Sequence, residues 1–141
     1  MDSPINILLI EDDIDDVNLI QRAIKKSKLN VNLIILEDGE KAVNYLFNNS
    51  EREKIISPKF VILDLKLPKI SGLEILKRVK LDPKNKLLPI IILTSSKEKK
   101  DIEECYKNYA NSYIVKPIDY EKFNETIISI LNYWINFNES L

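Results

Sequence analysis

Phe60-Val61-Ile62-Leu63-Asp64-Leu65-Lys66-Leu67-Pro68 decides the fold. Four apolar residues, two of them β-branched, run into one aspartate, and a proline closes the stretch. A short, unbroken apolar run of this kind is the pattern of a strand covered on both faces, as in a parallel sheet. Asp64 then stands at the strand's carboxyl end, where open α/β sheets bind their ligands. Alone, it would as readily end the strand and cap a turn.

The same pattern recurs along the chain. Ile5 to Ile10 reads as a first buried strand ending in Glu11-Asp12-Asp13. Val17, Ile20 and Ile24 follow at helical spacing, with Asp15 and Asp16 in the first turn, where the helix dipole favours anions. Val31 to Leu36 is a second strand and Asp38-Gly39 a turn. A helix follows with Ala42, Val43, Leu46 and Phe47 inward, then a polar loop over Asn48 to Ser57. After the third strand, Gly72 begins a helix carrying Leu73, Leu76 and Val79, stopped by Asp82-Pro83. Ile90 to Leu93 is a fourth strand ending at Thr94-Ser95-Ser96. A weaker helix spans roughly residues 99–108, with Ile102, Cys105 and Tyr109 inward. Tyr113 to Val115 is a fifth strand ending at Lys116-Pro117, and a last helix runs from about Asp119 to Phe137. Five alternations predict a doubly wound, flavodoxin-like parallel sheet of order 2-1-3-4-5 with five helices, one domain over residues 1–141 and no output domain.

Composition narrows the chemistry. Of 141 residues, 45% are apolar and 30% charged, the profile of a globular protein. Lys+Arg 21 against Asp+Glu 22 leaves a net charge of −1, with no basic field for direct nucleic-acid binding. No apolar run approaches the roughly 20 residues that cross a bilayer, so a soluble cytoplasmic protein is expected. Histidine is absent, which excludes Ser-His-Asp and Cys-His mechanisms. Cys105 is the single cysteine, and two glycines, Gly39 and Gly72, are too few for a P-loop or dinucleotide fingerprint.

In the predicted strand order Glu11-Asp12, Asp64, Thr94 and Lys116 end neighbouring strands and point the same way. Three converging carboxylates require raised pKa values or a cation, and oxygen-only donors suit Mg²⁺. Asp64 is then placed to attack a phosphoryl group, with Lys116 and the metal offsetting charge and the Thr94 hydroxyl donating to a phosphoryl oxygen.

These residues in this order resemble the receiver domain of two-component response regulators over essentially the whole chain. The motifs are the acidic pair, Asp64-x-x-x-Pro68, Thr94 and Lys116-Pro117. The resemblance implies Asp64 as phosphoacceptor, with Glu11, Asp12, Asp64 and the backbone carbonyl of Lys66 holding Mg²⁺. It implies Thr94 and Tyr113 as the switch pair, Lys116 as the family's lysine, and Pro117 as a proline after a cis peptide. Lys66 and Ser96 match positions that tune dephosphorylation, and Ser71 stands where many receivers carry Asp. Asp-Leu-x-Leu-Pro, Thr94-Ser95-Ser96, the segment before the third strand and Tyr133-Trp134 resemble the stand-alone receivers of the cyanobacterial phytochrome response regulator type.

The function so implied is acceptance of a phosphoryl group on Asp64 from a histidine kinase or phosphotransfer protein, with signalling by protein contact rather than turnover catalysis. A pseudo-receiver, the same fold as a constitutive interaction module, is the alternative. An aspartate-based Mg²⁺ phosphatase is disfavoured, because no second carboxylate lies two residues after Asp64. On the last helix, Phe123, Ile127, Ile130 and Trp134 form a core stripe. Ile128, Leu131 and Ile135 widen it, which reads equally as a broad core contact or as a homodimer or partner face.

Overall fold

The structure, a computed structural model, describes residues 3–48 and 57–141. Its elements in chain order are β1 (Ile5–Ile10), α1 (Ile14–Ser27), β2 (Val31–Leu36), α2 (Gly39–Phe47), β3 (Phe60–Leu63), α3 (Gly72–Leu81), β4 (Ile90–Thr94), α4 (Lys99–Lys107), β5 (Ser112–Val115) and α5 (Tyr120–Leu131). The strands form one parallel sheet in the order β2-β1-β3-β4-β5. Most of the polar loop expected over residues 48–57 lies outside the described residues.

Side-chain alternation in the strands divides the core in two. Leu8, Ile10, Val61, Leu63, Ile90 and Ile92 face α2, α3 and α4, while Ile7, Leu9, Phe60, Ile62, Ile91 and Leu93 face α1 and α5. Central strands buried on both sides account for the unbroken apolar runs. The helix starts follow local chemistry. Asp13 accepts from the Asp15 and Asp16 N–H groups, Asp38 from Lys41 N–H, Ser71 from Glu74 N–H and Asp119 from Lys122 N–H. Ser71 therefore acts as a helix cap, and Asp38 caps α2 rather than only turning the chain.

Several expectations are corrected. Tyr109 is not inward: its backbone is left-handed (φ 67°) just beyond α4, and its ring is 75% exposed. The last helix does not remain α-helical to Phe137; residues Asn132–Phe137 form a π-helical turn. The wider turn lets Trp134 and Ile135 both pack on the α1–α5 core, with Trp134 tilted against Phe60 at a ring separation of 6.3 Å. Leu131 is withdrawn from the candidate interface, because it is 1% exposed and belongs to this chain's own core. Ile128 and Ile135 are half-buried against that same cluster. No cis peptide bond occurs among the described residues, so Lys116–Pro117 is trans here. Among them, too, no helix is long and apolar enough to cross a membrane.

Candidate phosphoryl-acceptor site

Backbone hydrogen bonds bring the acidic residues, Thr94 and Lys116 to one edge of the sheet. Glu11 N–H donates to the Leu36 carbonyl, Asp64 N–H to the Ile10 carbonyl at 3.1 Å, and Lys116 N–H to the Thr94 carbonyl at 2.7 Å. The parallel ladders thus run one residue past the apolar core, and the first residues beyond it carry the polar chemistry. Glu11, Asp64 and Thr94 are buried there, whereas Asp12 is exposed at the mouth.

The loop after β3 is held against this edge by the two glycines. A Cβ on Gly72 would lie 2.0 Å from the Asp64 carbonyl oxygen, and one on Gly39 equally close to the Ile70 carbonyl. Gly72 N–H also donates to the Leu65 carbonyl, and Gly39 N–H to that of Pro68. Any side chain at residue 72 would displace the backbone carrying Asp64. The sequence signal was available in the scarcity of glycine, but which backbone approached which was not.

Lys116 is the centre of the pocket. Its Nζ donates to Glu11 Oε1, to Asp16 Oδ2 at 2.7 Å and to Asp64 Oδ2 at 2.8 Å. Burial alone lowers the pKa of this ammonium, but Asp16, Asp64 and Glu11 together reverse that and hold it above the ordinary lysine value. Burial raises Asp64, and Lys116 brings it back below the usual carboxylate range. Glu11 is pushed up to about 8, first by burial and also by the neighbouring Asp64 charge, against the pull of Lys116. One lysine does not offset all the acid here.

A cation fits that excess. Carboxylate oxygens of Glu11, Asp12 and Asp64 lie within 4.8 Å of one another, an all-oxygen donor set suited to a hard divalent ion. The Thr94 hydroxyl is fully buried and has no hydrogen-bond partner of good geometry among the described residues, although it stands near enough to Asp64 to favour its charged form. A buried hydroxyl without a partner is costly unless a ligand supplies one.

Around this pocket the residues expected to tune and to switch lie apart. Lys66 donates its backbone N–H to Asp64 Oδ1 at 3.4 Å, while its residue is exposed. The Ser96 hydroxyl donates to Asp101 Oδ2 and accepts from Glu98 N–H at the start of α4. Tyr113 packs half-buried in the same cluster as Cys105, and its hydroxyl donates to the Ser96 carbonyl at 3.0 Å. Asp16 joins the pocket without having been expected there; its spacing, one helical turn beyond Asp12, was read only as a helix-dipole feature.

The molecule is thus a doubly wound parallel sheet that carries an acidic cluster, a buried hydroxyl and a lysine at its carboxyl edge. Residues 7–128 match the response regulator receiver domain, and the chain belongs to that family. It is 34% identical to the probable methanogenesis regulatory protein FilR2 of Methanothrix harundinacea (strain 6Ac), over 99% of this chain and 89% of FilR2. It is also 34% identical to response regulator Rcp1 of Synechocystis, over 92% of this chain and 88% of Rcp1. The Mn²⁺-bound structure of Rcp1 superposes with a TM-score of 0.91 at 33% identity, covering 98% of this chain and 99% of that one. The phosphorylated cyanobacterial phytochrome response regulator RcpA gives 0.93 at 30% identity with the same coverage. The chain is therefore a receiver of two-component signalling, similar to the cyanobacterial phytochrome response regulators, in a family for which phosphorylation on aspartate is general.

Proposed function

We propose that Asp64 accepts a phosphoryl group from a histidine kinase or phosphotransfer protein in a Mg²⁺-dependent reaction. The observation that carries this reading is the convergence of Lys116, Glu11 and the unpartnered Thr94 hydroxyl on Asp64. One Asp64 carboxylate oxygen attacks phosphorus as the bond to the donor's imidazole nitrogen breaks. The donor nitrogen leaves with the electron pair, and an acyl phosphate remains on Asp64. Lys116, kept protonated by its carboxylate partners, offsets charge on the phosphoryl oxygens, and Thr94 turns its hydroxyl to one of them. Glu11, Asp12, Asp64 and the Lys66 carbonyl would hold the ion, which when bound neutralises the charge gathering at the phosphoryl group. That the related Rcp1 has an Mn²⁺-bound form supports a divalent ion as a ligand of this fold.

The outgoing signal follows from the switch residues. Movement of Thr94 toward a phosphoryl oxygen draws on the β4–α4 connection, where the Ser96 carbonyl holds the Tyr113 hydroxyl and the Ser96 side chain holds the start of α4. Protein contact at the α4 side is the resulting output. Lys66 follows Asp64 by two residues, and an ammonium there lengthens the phosphoryl lifetime by holding phosphoryl oxygens or by obstructing water.

Incubation with Mg²⁺ and a small phosphodonor such as acetyl phosphate labels the wild type, and Asp64→Asn leaves it unlabelled. Chelation of the metal also abolishes labelling. Equal labelling of Asp64→Asn, measured by phosphate-affinity electrophoresis or intact mass, would overturn the assignment, and wild-type protein that never labels would favour the pseudo-receiver.

A further inference from the structure

Asp16 is the one partner of Lys116 that nothing in the acceptor chemistry uses. The ammonium has three N–H donors, and each is committed, to Glu11, Asp16 and Asp64. Glu11 and Asp64 both belong to the carboxylate trio that fits a cation, and Asp64 is also the reacting group. Asp16 is neither. It comes from the first turn of α1, outside the strand ends, and its side chain is half-buried with the Lys116 bond inside the pocket.

We propose that Asp16 is a positioning residue, the anionic anchor that keeps Lys116 aimed at the phosphoryl position. The inference rests on the phosphoacceptor reading above. When a cation engages Glu11 and a phosphoryl group occupies Asp64, the lysine's bonds to those two carboxylates are the ones that change. Asp16 remains to fix the ammonium, because neither the cation nor the phosphoryl group draws on its oxygens. A lysine stem of four carbons has many rotamers, and a single charge-assisted bond restricts most of that freedom. Asp15 makes the separation of roles testable. It shares the first turn and the helix dipole with Asp16, but it is exposed and makes no bond to Lys116.

The test compares labelling rates with Mg²⁺ and acetyl phosphate in the wild type, Asp16→Asn, Asp16→Ala and Asp15→Asn, first with Lys116 intact and then with Lys116→Met. Loss of one charge-assisted bond corresponds to a rate reduction of roughly tenfold or more. Asp16→Asn and Asp16→Ala therefore fall by about that factor, Asp16→Ala the further, while Asp15→Asn stays within about twofold of wild type. With Lys116→Met, the Asp16 substitutions cause no additional loss. A helix-stability role would slow Asp15→Asn as well and would persist without the lysine; either result overturns the proposal. So does wild-type labelling by Asp16→Asn. Failure of the wild type itself to label overturns the phosphoacceptor reading instead, so the two failures are distinguishable.

Discussion

Helices α4 and α5 flank β5 and are held in opposite ways. Helix α5 buries Phe123, Ile127, Ile130 and Leu131 against α1 and the sheet, and Asp119 caps its start. Helix α4 buries only Cys105, and the residue at its N-cap, Glu98, contributes no capping side chain. The start of α4 hangs instead on Ser96, whose hydroxyl bridges Asp101 and the Glu98 N–H two residues beyond Thr94. A helix fastened by apolar area resists displacement all along its length; one fastened by a few polar bonds at one end moves when that end moves. The difference places the malleable helix beside the candidate switch hydroxyl and the rigid one on the opposite face of the sheet.

The largest effect expected from this contrast is in the cores. Ile127→Ala should lower the unfolding free energy by about 2–5 kcal/mol, since it removes buried volume from a closed cluster. Ile102→Ala, at a half-buried position of α4, should cost on the order of 1 kcal/mol or less. Urea denaturation measures both, and equal losses would remove the distinction between the two helices.

A smaller effect is expected at the polar tether. Tyr113→Phe deletes the hydroxyl that donates to the Ser96 carbonyl while leaving the ring packed. The net loss should be about 0.5–1.5 kcal/mol. Amide exchange should quicken in the β4–α4 connection and in α4 while α5 stays as protected as in the wild type. Exchange that rises uniformly over both helices would mean that the bond supports the whole fold and not the α4 attachment.

Which parts of this were legible in sequence follows from the same physics. Strands buried on both faces announce themselves as apolar runs, so all five strands and the residues Glu11, Asp12, Asp64, Thr94 and Lys116 at their ends could be placed from order alone. Contacts that depend on where a helix lies over the sheet edge could not. Asp16 reads as a dipole residue until the position of α1 brings it to Lys116, and Gly72 reads as a helix start until the Asp64 carbonyl is seen against it. Leu131 reads equally as core or interface because a stripe at spacing three and four specifies a face and not its width; the structure gives the core, and the π turn after it lets that core take in Trp134 and Ile135 as well. Ser96 was placed by its distance from Thr94, and spacing along a chain does not say that its hydroxyl turns to Asp101.

The smallest effect is the most local. Burial, with the Asp101 and Glu104 charges adding to it, pushes the Cys105 thiol up to about 11 from an ordinary value of 9.0. A folded-state pKa above the unfolded one means that the neutral thiol's contribution is intact below about pH 9 and is lost as pH rises toward about 11. Because Cys105 is the sole buried residue of α4, that loss should appear as easier opening of α4 rather than of α5. Hydrogen exchange compared across this pH window in wild type and Cys105→Ala isolates it, since every other alkaline titration is common to both proteins. Protection of α4, corrected for the intrinsic pH dependence of exchange, should decline in the wild type and stay flatter in Cys105→Ala, with α5 alike in the two. If the wild-type decline is matched in the variant, the thiol is not what anchors α4, and the helix rests on its polar tether at Ser96 alone.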